Sequence, residues 1–128
     1  MRYDAEHFRP SEFLCPCCGK GRASRRLVLW LDLLRRAWGG PVRVNSGFRC
    51  APHNAGVGGA KRSRHLRGCA ADIAPVNADG ADRARFFAAA ARFFSLPGWE
   101  VRPYATFIHV AVPVLDDPWE GEPLDLAL

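Results

Sequence analysis

Two histidines and one aspartate are the side chains in this sequence best suited to bind a metal ion. His65 and Asp72 lie seven residues apart in the run SRHLRGCAAD, and His109 interrupts the apolar run FIHVAV. Two imidazoles and one carboxylate form the ligand set of a catalytic zinc site whose fourth position is open to water. Zinc lowers the pKa of that water to about 7, which provides a nucleophile at neutral pH. The spacing also fits histidines that are hydrogen-bonded in a core, so both interpretations stay open here.

Cysteines form a second group of candidate ligands. Cys15, Cys17 and Cys18 cluster in LCPCCGKG, while Cys50 and Cys69 stand apart. An odd number of cysteines, without an apolar signal segment before them, argues against a disulfide framework. Cys15 and Cys18 have the C-x-x-C spacing of a zinc-ligand pair. We expect a second, structural metal site or a disulfide at Cys15, Cys17, Cys18 and Cys50, and the alternative is a set of reduced thiols.

Several motifs, in the same order along the chain, resemble those of the zinc D-Ala-D-Ala carboxypeptidase and hedgehog-like peptidase family. The run SRHLRGCAAD is similar to the family signature SxHxxGxAxD. The segments NSGFR, HN and VGGA resemble the SGYR, HN and VGGA run that precedes the signature, and FIHV resembles the last strand of the family. Phe8, the segment SEF and the Cys-rich turn are similar to a small phage-encoded branch. The resemblance covers about residues 8–112.

The resemblance implies roles for five residues. In the family, the first histidine, the aspartate and the last histidine of these motifs bind zinc, and here they are His65, Asp72 and His109. The arginine of the SGYR run and the serine before the first histidine bind the carboxylate or carbonyl of the substrate, which here implies Arg49 and Ser63. A guanidinium pairs with a carboxylate through two hydrogen bonds, and a hydroxyl donates to a carbonyl oxygen, so both residue types suit these roles.

The chain departs from the family at an acid that serves as general base or as the partner of a ligand. Family members carry it three residues before or two residues after the last histidine, where this chain has Thr106 and Ala111. Neither side chain can accept a proton from water, so the base is unknown from the sequence. Glu100 and Asp116 are the candidates that neighbouring loops could supply. Residue 111 shares a strand face with His109, so the sequence predicts that Ala111→Asp raises activity or leaves it unharmed.

The elements that must position these residues are helices and strands in irregular alternation. Apolar spacing predicts one helix from the cap at Ser24 to Trp38, and a second over 81–94 with an apolar face of Phe87, Ala90, Ala91 and Phe94. Alternating or apolar runs predict strands over 42–45, 69–76 and 104–114. Residues 46–68 contain five glycines and are predicted to form a long functional loop.

This pattern predicts an α+β fold with a mostly antiparallel sheet flanked by helices. The resemblance adds a hedgehog- or DD-peptidase-like architecture to that prediction. We expect one domain over residues 1–128, with an irregular, Cys-containing N-terminal segment over 1–22 and an acidic tail over 116–128. The length of 128 residues and a hydrophobic share of 48% are typical of a single folded domain rather than a disordered chain.

Charge is distributed unevenly along the chain. The net charge is +5, but the segment from Val112 onward holds five of the 13 acids and none of the 18 bases, so residues 1–111 carry 18 − 8 = +10. Such a surplus favours an anionic partner. No apolar run reaches the ~18 residues that a membrane-spanning helix needs, so no membrane span is expected.

The function that the family resemblance implies is a zinc-dependent peptidase that cuts peptidoglycan stem or cross-link peptides and is encoded by a phage or prophage. The alternative is a catalytically weak or inactive zinc-binding module of the same fold, which binds the cell wall or belongs to a virion. A nucleic-acid-binding protein with a Cys-rich zinc knot is disfavoured because it leaves the SxHxxGxAxD run unexplained.

The N-terminal run MRYDAEHFRP has no apolar core of a signal peptide. We therefore expect synthesis in the cytoplasm and action at the cell wall, after release or as part of a virion. Phage tail or lysis proteins would then be partners.

Overall fold

One antiparallel sheet of four strands organises residues 6–114, the part of the chain that the computed structural model describes. The elements in chain order are α1 (Arg25–Trp38), β1 (Val42–Ser46), α2 (Ala51–Gly56), β2 (Ala70–Pro75), α3 (Gly80–Phe94), β3 (Glu100–Pro103) and β4 (Ile108–Ala111). Two short 3-10 helices, Pro10–Phe13 and Arg64–Arg67, precede α1 and β2. The strand order is β1-β2-β4-β3, and each neighbouring pair is antiparallel. The predicted α+β class with an antiparallel sheet is confirmed.

The register of the central strands places polar residues opposite one another. Asp72 on β2 pairs with His109 on β4, and the next pair along the same two strands is Ile73 with Ile108. Because side chains alternate between the two faces of a sheet, the polar pair and the isoleucine pair point to opposite sides. Ile73 and Ile108 belong to the hydrophobic core. One face of the sheet is therefore free to carry chemistry.

Helix α1 follows from its cap and its apolar stripe. The Ser24 hydroxyl accepts a hydrogen bond from the backbone N–H of Leu27, which satisfies one of the unpaired donors of the first turn. Leu27, Leu31 and Leu34 are buried at helical spacing. The helix ends at Gly39, which adopts the left-handed conformation with φ of 81°.

Helix α3 packs with a face that differs in part from the predicted one. Ala90 and Phe94 are buried as expected, but the third buried residue is Phe86 rather than Phe87. The stripe therefore starts one residue earlier, at the i, i+4, i+8 spacing of Phe86, Ala90 and Phe94. The Phe86 ring packs edge-on against Trp38 with centroids 5.3 Å apart, which ties α3 to the end of α1.

Two predicted elements are wrong in their extent. The 46–68 segment is not wholly irregular, because it contains α2 and the 3-10 helix Arg64–Arg67. The single strand predicted over 104–114 is instead β4 alone, and β3 precedes it as a strand that the sequence did not indicate. A turn between them is closed by the Tyr104 N–H bonding to the Phe107 carbonyl at 2.8 Å. The two rings of that turn stack at 4.8 Å.

The N-terminal segment is more regular than predicted where it is described. Besides the 3-10 helix Pro10–Phe13, Leu14 and Gly21 form an isolated antiparallel bridge. Phe8 and Phe13 lie in the core. Residues 1–5 and 115–128 lie outside the described residues, and with them the predicted acidic tail and Asp116. Within residues 6–114 no helix is long and apolar enough to cross a bilayer.

Candidate metal centre

Three elements bring His65, Asp72 and His109 together. His65 comes from the 3-10 helix Arg64–Arg67, Asp72 from β2 and His109 from β4. Their candidate ligand atoms all lie within 4.8 Å of one another. One carboxylate oxygen, Asp72 Oδ1, lies 3.2 Å from His65 Nε2 and 3.0 Å from His109 Nδ1. All three side chains are almost fully buried.

A glycine turn sets the distance between the first two of these residues. Gly68 has φ of +69°, a conformation that other residues rarely adopt. A Cβ at this position would lie 2.5 Å from the carbonyl oxygen of Arg22. The turn therefore needs glycine for its conformation and for its close packing, and it reverses the chain from His65 into β2.

The hydrogen bond at one ring nitrogen of His65 leaves the other nitrogen available to a cation. His65 Nδ1 lies 2.7 Å from the carbonyl oxygen of Gly47. A carbonyl oxygen accepts hydrogen bonds, so Nδ1 carries the proton and donates it. In the neutral imidazole, Nε2 then carries a lone pair and no proton. It faces the Asp72 carboxylate, so two hydrogen-bond acceptors lie opposite each other. A positive charge between them, a second proton or a metal ion, is needed to make this contact favourable.

His109 has the same requirement at both ring nitrogens. Nδ1 faces Asp72, and Nε2 lies 2.9 Å from Oε1 of Glu100. A neutral imidazole has one N–H, so it can donate to just one of these two carboxylates. If Glu100 accepts the Nε2 proton, Nδ1 presents its lone pair toward Asp72 and His65. The donor set therefore fits a zinc ion held by His65 Nε2, Asp72 Oδ1 and His109 Nδ1.

The charges in the site support the same arrangement. Burial by itself raises the pKa of Asp72, but hydrogen bonds with His109 and His65 outweigh it and hold that pKa far below its usual value. Burial lowers the pKa of His109, whereas its bonds to Asp72 and Glu100 raise it to above the ordinary value. The carboxylate is thus ionised and its neighbourhood attracts positive charge, as a cation site requires.

Arg49 holds the other oxygen of the same carboxylate. Its Nη2 lies 3.1 Å from Asp72 Oδ2. Its Nε donates to Ser46 Oγ at 3.0 Å, and its Nη1 donates to Asn54 Oδ1 at 3.3 Å. The guanidinium therefore fixes Oδ2 and leaves Oδ1 directed at the two histidines. Arg49 also lines the cavity above the site.

Ser63 lies at the rim of the same cavity and starts the helix that carries His65. Its Oγ accepts a hydrogen bond from the backbone N–H of His65 at 3.2 Å, as an N-cap residue does. A hydroxyl that accepts at its oxygen still has a proton to donate. The side chain can therefore serve the helix and a bound carbonyl group at the same time.

Glu100 lies on a strand, whereas the sequence indicated a loop for this residue. It begins β3 and pairs directly with Ala111 of β4, which is fully buried. Although burial raises the pKa of Glu100, the hydrogen bond to His109 and the charge of Arg64 lower it overall. Arg64 Nε lies 3.5 Å from its second oxygen. A carboxylate thus reaches the site from the strand beside residue 111, whereas Thr106 is exposed in the turn.

The site opens into a cavity of about 450 Å³, a volume within the range of small-ligand sites. Its walls include three arginines that the motifs did not single out, Arg62, Arg64 and Arg102. Among the described residues that line it, the acids are Asp72 and Glu100. The sequence signal for these arginines was only the general surplus of positive charge. Such a cavity suits a ligand that carries negative charge.

The predicted cysteine cluster is brought together in part. Cys15, Cys18 and Cys50 approach one another, and no disulfide joins any of the described cysteines. Cys17 is exposed, and Cys69 is buried in the core.

Comparisons with known proteins agree with these motifs. A family model described as Peptidase M15 matches residues 6–111. The zinc D-Ala-D-Ala carboxypeptidase of Streptomyces albus G is 46% identical to this chain over 54 residues. The matched part is 41% of this chain and 21% of that enzyme, so the chain matches about a fifth of the length of its curated relative.

Proposed function

The chain belongs to the peptidase M15 family, and on that premise we propose that it is a zinc-dependent peptidase acting on peptidoglycan stem or cross-link peptides. One observation carries the proposal: His65 and His109 converge on a single oxygen of Asp72 at the edge of an open cavity. The name of the Streptomyces relative supports a substrate that contains D-alanine.

In this proposal each residue has a defined task. His65, Asp72 and His109 hold the metal, and a zinc ion bound there would polarise the scissile carbonyl and lower the pKa of a water molecule. The Gly47 carbonyl fixes the proton of His65 on Nδ1. Glu100 does the same for Nε2 of His109. Glu100 is therefore a positioning residue, because it acts through the histidine.

Substrate binding is assigned to Arg49 and Ser63, both of which line the cavity. Arg49 is already bonded to Asp72, so a substrate carboxylate would share the guanidinium with that ligand. Ser63 would donate its hydroxyl proton to a substrate carbonyl. The net charge of +10 over residues 1–111 favours an anionic polymer such as the cell wall. We also propose a phage or prophage origin and action at the wall, after release or within a virion.

A second candidate function, a zinc-binding module with little or no activity, is favoured by the position of the carboxylates in the cavity. Glu100 bonds to the nitrogen of His109 that faces away from Asp72, and Ala111 occupies a position where family members carry an acid. No other described residue lining the cavity has a carboxylate apart from Asp72. A zinc-binding module that binds the wall and hydrolyses it slowly or not at all fits this geometry, since a general base typically contributes 10²–10⁴-fold to a rate.

The experiment that tests the proposal uses purified murein and zinc-loaded protein. We expect the wild type to release new amino groups, and His65→Ala to lose both this activity and the zinc of the site. Hydrolysis that survives in His65→Ala would contradict the assignment of the metal ligand. Wild-type protein that binds zinc and sediments with murein, yet releases no amino groups, would support the binding module instead.

A further inference from the structure

Three cysteines from two distant segments form a cluster that the peptidase proposal does not use. The sulfur atoms of Cys15, Cys18 and Cys50 all lie within 4.8 Å of one another. Cys15 Sγ and Cys50 Sγ are 3.6 Å apart, much farther than the ~2.05 Å of a disulfide bond. Two thiolates on one tetrahedral zinc ion, each with a Zn–S distance of about 2.3 Å, lie roughly 3.8 Å apart. The spacing therefore suits two ligands of one metal ion as well as two thiols in contact.

The chain around the first two cysteines is folded as a tight turn. The N–H of Cys15 donates to the carbonyl of Lys20 at 2.7 Å, and the N–H of Gly19 donates to the carbonyl of Cys15 at 2.8 Å. Gly19 has φ of +71°, which lets the chain reverse directly after Cys18. These bonds bring the two thiols of the C-x-x-C pair to one side of the turn.

The third cysteine arrives from the loop that carries Arg49. The backbone N–H of Cys50 points at Cys15 Sγ with a distance of 3.5 Å, a contact that suits a sulfur with negative charge. Two further backbone bonds fasten this loop: Phe48 N–H to the Phe13 carbonyl and Arg49 N–H to the His65 carbonyl, each at 3.1 Å. The cluster thus lies where the N-terminal segment meets the loop of the metal centre.

We propose that Cys15, Cys18 and Cys50 bind a structural zinc ion, whose fourth ligand is the adjacent Cys17 or a water molecule. Thiolates are the ligands that structural zinc sites prefer. The ion fastens the N-terminal segment to the loop that presents Arg49 to Asp72. This proposal is independent of the peptidase activity, because none of its ligands belongs to the site of His65, Asp72 and His109.

Metal content is the first test. Elemental analysis of protein purified under reducing conditions should give two zinc equivalents for the wild type. We expect one equivalent in Cys18→Ser, in which an exposed thiol is replaced, and one in His65→Ala, in which the other site is lost. Cys69→Ala is the matched control, since it removes a cysteine outside the cluster, and it should keep both. A single equivalent in the wild type that disappears in His65→Ala would overturn the proposal.

Cobalt substitution tests the ligands without any activity assay. Cobalt bound by thiolates gives intense charge-transfer bands in the near ultraviolet, and we expect them in the wild type and in His65→Ala but not in Cys50→Ser. Should Cys50→Ser fail to fold, the spectra of the wild type and Cys18→Ser decide. Absence of the bands from wild-type protein, or a disulfide between Cys15 and Cys50 after purification under reducing conditions, would refute the site.

Discussion

A histidine ring between two carboxylates can bind a metal ion at one nitrogen only if the proton is held at the other. His109 is in this position, between Asp72 and Glu100. If the carboxylate of Glu100 accepts the proton on Nε2, Nδ1 keeps its lone pair toward Asp72. A residue outside the proposed ligand set would then decide which tautomer His109 adopts.

Replacing Glu100 should weaken zinc binding at this centre. We expect Glu100→Ala to lower zinc affinity by about 10–100-fold, the usual effect of removing the partner of a histidine ligand. Glu100→Gln keeps an oxygen that accepts the Nε2 proton, so it should retain most of the affinity. Competition with a chromogenic chelator measures both variants. Equal affinities for wild type and Glu100→Ala would show that Glu100 does not position His109.

For Ala111→Asp, the structure leads to an expectation opposite to the raised or unharmed activity that the sequence predicted. Ala111 is fully buried and lies directly across from Glu100. Ala111→Asp would place two carboxylates opposite each other in a site with little water, which destabilises a strand pair. We therefore expect a lower free energy of unfolding rather than a gain of activity.

A double-mutant cycle separates this repulsion from the cost of burial alone. In the background of Glu100→Ala, Ala111→Asp should cost less than in the wild type, with a coupling of about 0.5–3 kcal/mol. Urea unfolding of the four proteins gives the coupling. Strict additivity of the two substitutions would contradict the cross-strand repulsion.

The sequence predicted those helices and strands that are long enough to show a periodic apolar pattern. Helix α1 has 14 residues, so its apolar spacing and its cap at Ser24 could be recognised in the sequence. Helix α2 has six residues, too few to show a helical repeat. Strand β3 has four residues, and two of them, Glu100 and Arg102, are charged. The proximity of Glu100 to His109 depends on strand register, which no local pattern contains.

The three proposed ligands could be selected from the sequence because they sit in fixed motifs on neighbouring elements. His65 and Asp72 belong to one short run, and His109 ends up beside Asp72 because β2 and β4 are adjacent in the sheet. The pairing of Arg49 with Asp72 was not predicted, since the resemblance implied a substrate for that side chain. Its contact spans 23 residues and follows from the packing of the loop before α2.

The turn at Gly68 offers a test at this scale. We expect Gly68→Ala to destabilise the protein by more than the roughly 1–2 kcal/mol that a left-handed conformation costs an alanine, because its Cβ would also collide with the Arg22 carbonyl. Gly39→Ala is the matched control: its φ is +81°, but no atom lies within 4 Å of the added Cβ. Thermal or urea unfolding measures both. Equal losses for the two variants would show that close packing at Gly68 contributes nothing.

The whole molecule depends on contacts between its N-terminal segment and parts of the chain far away in sequence. Phe8 and Phe13 join the core formed by the helices and the sheet. A Cβ on Gly47 would lie 2.8 Å from Cα of Phe13, so the segment packs directly against the loop that leads to Arg49. The carbonyl of the same Gly47 fixes the tautomer of His65. The described part of the N-terminal segment therefore supports the candidate metal centre, and none of the three proposed ligands comes from it.

Asp32 of α1 binds the N-terminal segment at His7. Its side chain is 7% exposed, and Oδ1 accepts a hydrogen bond from the backbone N–H of His7 at 2.9 Å. The His7 ring nitrogen Nδ1 lies 3.2 Å from the same oxygen, and Arg36 Nη2 lies 3.1 Å from Oδ2. Burial raises the pKa of Asp32, but the bonds from His7, a backbone bond from Glu6 and the charge of Arg36 lower it below the ordinary value.

The stability of the whole molecule should therefore depend on the ionisation of Asp32. A pKa that is lower in the folded than in the unfolded chain stabilises the fold above the unfolded value of about 3.9, and this contribution is lost as the pH falls through the folded value. At pH 7 we expect Asp32→Asn to lower the free energy of unfolding by about 1.5–3 kcal/mol, the range for hydrogen bonds to a charged group. The difference from wild type should shrink below a pH of about 4 as wild-type Asp32 takes up a proton.

Asp82→Asn is the control for this prediction, because its partner Arg85 is a surface neighbour on the same helix and such pairs contribute about 0–1 kcal/mol. Urea unfolding between pH 3 and about 7 measures all three proteins, and a constant gap between wild type and Asp32→Asn over that range would show that this carboxylate does not link the N-terminal segment to α1 through its charge.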